Sequence, residues 1–121
     1  MRPPVYSLLA ASAPVVAIVG DRIGAHGEVF AREVRPYVTW QSVSGGAEIT
    51  LDRGRAPNDR VSVQVDFWHP TEAGLVTLVE AGRTALESAC YVVGLVADEK
   101  DDATGLYRQS LQFDFILEPA P

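Results

Sequence analysis

Cysteine and lysine are nearly missing from this sequence. Cys90 is the only cysteine, which excludes an internal disulfide and any metal site built from several cysteines. It follows an apolar helical pattern, so we expect a buried, inert thiol at this position rather than a nucleophile. Lys100 is the only lysine, and arginine therefore supplies almost all of the positive charge.

Positive charge is also scarce overall. The 121 residues contain 10 Lys and Arg against 16 Asp and Glu, which gives a formal net charge of −6 and a pI near 4.7. A protein that holds nucleic acid by its phosphates needs a basic surface. The charge balance therefore excludes that class of protein.

Long apolar runs are absent as well. The first residues, "MRPPVYSLLAASAPVVAIVG", have the small apolar side chains of a signal peptide, but Pro3, Pro4 and Pro14 interrupt the run. No later stretch approaches the roughly 20 apolar residues that a membrane helix needs. We therefore expect no targeting signal, no membrane association and a protein that is made in a cytoplasm.

No pattern of residues indicates catalysis or metal binding. The acidic run "DEKDDATG" fails the register of a calcium loop, because Lys100 and Ala103 stand where a ligand and a glycine are needed. The glycines of "GDRIGAHG" lack the Gly-Lys-Ser/Thr ending of a phosphate loop. Neither His26 nor His69 has a second ligand at a metal-binding spacing, and His69 suits a turn or capping role. We expect no enzyme activity, no metal and no cofactor.

The apolar periodicity predicts an α+β fold in a single domain that covers residues 1–121. Helical spacing from Pro3 to Pro14 predicts a short N-terminal helix, and a second apolar turn ends at Gly20. A short extended piece is expected near Ile23. The order that follows is β-β-α-β-β. It indicates an antiparallel or mixed sheet of about four strands, with the long helix and the short helix packed on one face.

Four segments of this order carry the expected strands. Alternation of apolar and polar residues marks "RPYVTWQSVS", the stretch from Arg60 to Trp68, and the stretch from Leu106 to Leu117. The run "YVVGLVA" is nearly continuous in apolar residues, as is typical of a central strand. The side chains that we expect to pack together in one core are Val63, Val65, Leu78, Val79, Leu86, Phe113 and Phe115.

Two further expectations follow from the same faces. Gly82 lies on the apolar face of the long helix and weakens it by about 1 kcal/mol relative to alanine, which is tolerable where a strand packs closely. Asp66 and Asp114 alternate outward on their strands, so we expect both carboxylates to be solvated.

A polar, irregular arm, residues 45–60, separates the first two strands. Ordering such an arm costs backbone entropy, so it is either a surface loop or a segment that docks on a neighbouring subunit. Beyond it, Trp68 points away from the core face and is either an interface anchor or buried beneath a loop or the N-terminal segment. The residues that we single out as a candidate protein interface are Glu48, Asp52, Arg53, Arg55, Asp59, Arg60 and Trp68.

Four segments, taken in order, carry a family resemblance: "VVAIVGDRIGAHGEV", "RPYVTWQSVSGGAEITLD", "DRVSVQVDFWHPTEAG" and "TGLYRQSLQFDFIL". Their order and spacing resemble the tail-completion or tail-terminator proteins of long-tailed bacteriophages. The resemblance covers residues 4–117, and it depends on the series rather than on any one segment.

The resemblance implies a structural role. Such proteins cap the head-proximal end of the tail tube, stop its polymerisation and present a surface for head–tail joining, as a six-subunit ring. The implied partners are further copies of this chain, the tail-tube protein and the head–tail connector protein, with DNA passing through the ring without specific binding. The implied location is the virion, after assembly in the host cytoplasm.

In such a ring the arm would dock on the neighbouring subunit or on the tube, and its charges would favour one register of the interface. Two other classes stay open at this point. One is a related head–tail connector or neck protein, and the other is a small enzyme or ligand-binding domain of similar layout.

Overall fold

The computed structural model describes residues 3–25, 36–47 and 59–117. Within these ranges it contains three helices and five strands. The helices are α1 (Val5–Ala10), α2 (Ala13–Val19) and α3 (Glu72–Leu86), and the strands are β1 (Ile23–Ala25), β2 (Tyr37–Ala47), β3 (Asp59–His69), β4 (Tyr91–Lys100) and β5 (Tyr107–Leu117). The predicted α+β class is confirmed.

The strands form one mixed sheet in the order β1-β2-β3-β5-β4. The four long strands are antiparallel to their neighbours, and β3 pairs with β5 along its whole length. β1 is parallel to β2 and pairs only with Val38–Trp40. It is the short extended piece expected near Ile23, and it adds a fifth strand to the four that the sequence indicated.

The helices cover one face of this sheet, and the core lies between the two layers. β3 alternates, so its odd-numbered residues from Val61 to His69 point to the helices and its even-numbered residues from Arg60 to Trp68 point to the opposite, open face. All seven residues that were predicted to pack together are buried and belong to one apolar cluster. The periodicities therefore identified the inward faces of α3, β3 and β5 correctly.

The N-terminal segment forms two helices rather than one helix and a turn. Ser12 separates them, and its hydroxyl accepts a hydrogen bond from the backbone N–H of Val15 at 3.4 Å. This is an N-cap, which satisfies one of the free donors at the start of a helix. Pro14 lies in the first turn of α2, where its missing N–H costs nothing.

α3 approaches β3 closely at Gly82, which is the condition under which a glycine is tolerable at this position of the helix. A Cβ atom added at Gly82 would lie 2.3 Å from Cε1 of Phe67, whose ring is fully buried. The same happens at the start of α3, where a Cβ at Gly74 would lie 1.9 Å from Cε1 of His69. The two glycines allow the helix to rest directly on aromatic rings of the strand.

The prediction for "YVVGLVA" was wrong. These residues begin β4, which lies at the edge of the sheet and not at its centre. Four of their side chains are largely exposed, with exposed fractions of 68% for Tyr91, 56% for Val93, 59% for Leu95 and 52% for Val96. The error has a physical basis. A continuous apolar run indicates that both faces of a strand are to be covered, but it does not indicate whether the same chain or another chain covers them.

Candidate assembly interface

The structure separates the predicted interface residues that it describes. Glu48, Asp52, Arg53 and Arg55 lie outside the described residues. Asp59 begins β3 opposite Ala47 of β2, and Arg60 follows it. Trp68 lies near the other end of β3, about 27 Å away along an extended strand. Arg60 and Trp68 therefore do not form one site within a subunit, and their common role in an interface stays a prediction.

Arg60 is held by a carboxylate on the open face. Its guanidinium is 3.2 Å from Oδ2 of Asp114, and its side chain stays 60% exposed. The hydroxyl of Ser62 donates to Oδ1 of the same aspartate at 2.6 Å. Asp114 is only 14% exposed, so it was wrong to predict a solvated carboxylate. Its two oxygens are engaged instead by neighbours on β3.

Asp66 corrects the same prediction further along the sheet. Its Oδ1 accepts hydrogen bonds from the amide of Gln64, at 3.1 Å, and from the hydroxyl of Ser110, which is fully buried. Sequence alternation places these side chains on the outward face but does not reveal that they bond to one another. The outward face is thus an ordered polar surface rather than a set of independent solvated groups.

Trp68 belongs to an aromatic stack on the open face. Its ring stacks on that of Tyr37, with 5.2 Å between the ring centroids and an interplanar angle of 13°. The guanidinium of Arg108 lies over the indole ring, 5.3 Å from its centroid, in a cation–π contact. Arg108 also pairs with Glu99 of β4. Burial, the largest cause, raises the pKa of the Tyr37 hydroxyl. The indole Nε1 is buried and has no hydrogen-bond partner in the described part of the chain.

The most exposed apolar surface lies on β4, which the sequence prediction had placed inside the sheet. Register shifts interrupt the β4–β5 ladder between Val92 and Gly94 and again between Leu95 and Ala97. Val93 and Val96 are the extra residues of these two bulges, and both side chains face solvent. At the start of the strand, Tyr91 and Ile116 of β5 border a notch of about 380 Å³ beneath the end of α3.

Residues with reactive side chains have structural roles where the structure describes them. The thiol of Cys90 donates to the carbonyl of Leu86 at 3.0 Å, and burial raises its pKa to about 12. The thiol is buried, as predicted. Nδ1 of His69 accepts the backbone N–H of Thr71 at 3.0 Å in the turn before α3, which confirms the predicted turn role. Burial lowers the pKa of this imidazole.

The described ranges contain neither a cluster of metal ligands nor a membrane-spanning helix. No group of three His, Cys, Asp or Glu residues is placed to hold a metal ion there. None of the helices in those ranges combines the length and the apolar character that crossing a membrane requires.

Comparison with known protein families identifies the family to which this chain belongs. The sequence profile of the family described as "Tail completion protein gp17" matches residues 3–118. The chain belongs to this family. The match spans nearly the whole chain, and it bears out the resemblance that the four sequence segments carry.

A solved structure supports the same fold. A chain from the structure titled "Virion of native gene transfer agent (GTA) particle" superposes with a TM-score of 0.63 at 18% identity, covering 95% of this chain and 92% of that one. At this identity the likeness establishes the fold alone. A search of curated proteins finds no match. A tail-completion protein is a structural component of a phage-like virion, and the surfaces described above are therefore candidates for assembly contacts.

Proposed function

We propose that this protein caps the head-proximal end of a tail tube, terminates polymerisation of the tube and provides the surface for head–tail joining. It acts as a homo-oligomeric ring of six subunits that contacts the tail-tube protein on one side and the head–tail connector protein on the other. The observation that carries this proposal is the family match over residues 3–118. The protein is not an enzyme and uses no cofactor.

The charge of the molecule supports a ring through which DNA passes without specific binding. The formal net charge is −6, and sliding DNA requires a surface that does not hold phosphates. Arg60 and Arg108 on the open face are both paired with carboxylates. A subunit with this balance repels the DNA backbone at low ionic strength, so the protein is expected to show no measurable DNA binding in physiological salt.

The arm, residues 45–60, supplies one side of the contact between subunits or with the tube. The prediction of an irregular arm was wrong at its two described ends, because residues 45–47 belong to β2 and residues 59–60 to β3, with Ala47 and Asp59 paired across the ladder. The ladder therefore holds both ends of the arm next to each other whatever lies between them. Removing Asp52–Asn58 and bridging the gap with glycines should leave the sheet and its melting temperature nearly unchanged.

The test of the proposal is assembly of the wild-type and arm-deleted proteins on tail tubes. Wild-type protein added to tubes that lack it should form rings at one tube end, seen by negative-stain microscopy, and should stop further elongation. The deletion variant should give overlong tubes or tails that fail to join heads. Rings that form at the connector but never on tubes would favour a neck protein instead. Normal particles from the deletion variant would show that the arm is only a surface loop.

A further inference from the structure

The outer edge of β4 has the properties of a protein-binding surface, because it is apolar and exposed. Natural sheets protect an edge strand with charged residues, proline, bulges or short length. β4 is ten residues long, and its first part, residues 91–97, contains no charge and no proline. It does carry two bulges, but the extra residues Val93 and Val96 are apolar and exposed, so the bulges add apolar surface to the edge. Among the described strands, none pairs with this edge.

Within the described ranges, a second stretch of strand edge without a partner lies on the opposite side of the same sheet. β1 pairs only with Val38–Trp40, so the outer edge of β2 over residues 41–47 has no strand beside it in the described ranges. This stretch also lacks charge and proline. A register shift between Ser42 and Ser44 makes Val43 the extra residue of a bulge, and its side chain is 46% exposed. The two open stretches are equal in length and both lack charge, although residues 91–97 are mostly apolar and residues 41–47 are mostly small or polar.

The directions of the strands allow these two edges to meet. β2, β3, β5 and β4 are each antiparallel to the next, so β4 runs opposite to β2. A copy related by rotation about an axis keeps its strand directions relative to that axis. When the β2 edge of one copy reaches the β4 edge of another, the pair is therefore antiparallel and continues the alternation of the sheet.

The levels of the two edges overlap in part. A row of paired residues runs across the sheet from Gln41 through Gln64 and Gln112 to Gly94. The open stretch of β2 begins at this row. Residues 91–93 of β4 lie on the same side of it, whereas residues 95–97 lie on the other side, level with Thr39 and Trp40. A stagger of about three residues, of the kind that closed sheets require, brings the two stretches into register.

From these observations we propose that β4 is one half of the contact between subunits and that its occupant is the β2 edge of a second copy, residues 41–47. Backbone hydrogen bonds join the two strands, and Val93, Val96 and Val43 add apolar contact. The interface is heterologous, because two different edges meet, and it can therefore close a ring. The helices then lie on one side of the ring wall and the polar open face on the other. This inference rests on the ring of the proposed function.

The first test uses cysteine crosslinking. The variant with both Val43→Cys and Val93→Cys is treated with a short bismaleimide, alone at high concentration and with tail tubes. The native Cys90 is buried and burial raises its pKa to about 12, so we expect it not to react. We expect a ladder of covalent multimers beyond the dimer, and none from either variant that carries only one of the two substitutions. Dimers from Val93→Cys alone would indicate that β4 pairs with itself, and a crosslink to the tube protein would make the tube its occupant. Either result overturns the proposal.

The second test adds charge to the edge. In Val93→Lys/Val96→Lys the fold should persist, since both side chains are exposed, but rings on tail tubes should be lost. The matched control is Val76→Lys, which is 53% exposed on α3 and should assemble normally. Rings that survive the double substitution overturn the β4 contact and leave the proposed function standing. Wild-type protein that forms no rings on tubes overturns both.

Discussion

Replacing Gly82 with alanine tests the contact on which the two layers of the fold depend. An added Cβ would lie 2.3 Å from Cε1 and 2.7 Å from Cζ of Phe67, where carbon atoms normally approach to about 3.5–4.0 Å. The ring has no free space to move into, because it is fully buried in the core cluster. Either α3 or β3 must shift.

The size of the effect follows from two opposing terms. Alanine favours a helix over glycine by about 1 kcal/mol, which stabilises the variant. Overpacking a well-filled core costs about 1–3 kcal/mol, and the upper part of that range applies because both elements are held by other buried contacts. We therefore expect the free energy of unfolding to fall by about 1–2 kcal/mol. For a chain of this size, each kcal/mol lowers the melting temperature by about 3–6 °C.

Urea titration followed by circular dichroism measures this change, with Gly94→Ala as the matched control. A Cβ at Gly94 meets no atom within 4 Å, so this variant should keep or slightly raise the stability. The decisive comparison adds Phe67→Leu, which removes the ring edge. In that background, Gly82→Ala should cost less or become stabilising, and the difference gives the coupling energy between the two positions. Equal costs in both backgrounds, or a Gly82→Ala variant as stable as wild type, would refute the steric argument.

Three further predictions concern the same core and its two reactive side chains. Phe113→Ala should lower the free energy of unfolding by about 3–5 kcal/mol because the side chain of Phe113 is fully buried. The control Val76→Ala, at an exposed position, should change it little. If Phe113→Ala melts at the same temperature as wild type, the core assignment is wrong. The free energy of unfolding should fall as the pH drops below about 6.5, because the pKa of His69 is lowered in the folded protein and the unfolded chain therefore binds a proton at a higher pH. In thermal melts between pH 7 and 5.5, His69→Gln should make the melting temperature depend less on pH. Cys90 should react with a thiol reagent at pH 8 only after denaturant is added, and rapid labelling of the native protein would show that the thiol is accessible.

The sequence predicts this fold best where the apolar periodicity is strong, that is, in elements with one face covered and the other face open. Alternation identified β3 and β5, and helical spacing identified the buried face of α3, because each of these elements has one covered face and one open face. The close approach at Gly82 followed from the same reasoning. β1 was visible only as a short extended piece, because three residues carry too little pattern to define a strand or its parallel partner.

The candidate site was harder to predict than the fold. Alternation places Asp66 and Asp114 on the outward face, but their bonds to Ser110 and Ser62 depend on the register of β3 against β5. That register brings together residues far apart in the sequence. No local signal announces such a pairing, so solvation was the simplest expectation from the sequence and it was wrong.

The position of β4 was missed for a different reason. An apolar run without charge indicates burial, and sequence alone does not distinguish burial within a subunit from burial between subunits. The order β3-β5-β4 puts the run at an edge, where Tyr91 and Leu95 are exposed to solvent in the isolated chain. The pattern therefore identified a strand correctly and its central position incorrectly, and the covering of this strand by a second copy stays a proposal.

An exposed apolar edge is a hazard for a protein that must wait in solution before it assembles. Such an edge invites pairing with any other extended chain, and β4 lacks the lysines that usually discourage it along residues 91–97. The charge of the whole molecule opposes this pairing, because two copies at −6 repel each other over distances up to about a Debye length of 8 Å in physiological salt. Contact at the edge is short-ranged, so it prevails only when something else brings the subunits together. In the proposed assembly, a tube end that binds several subunits at once would supply that condition, since it would raise their effective concentration far above that of the free protein. Net charge and apolar edge thus act at different ranges, and their combination favours assembly on a template over aggregation in solution.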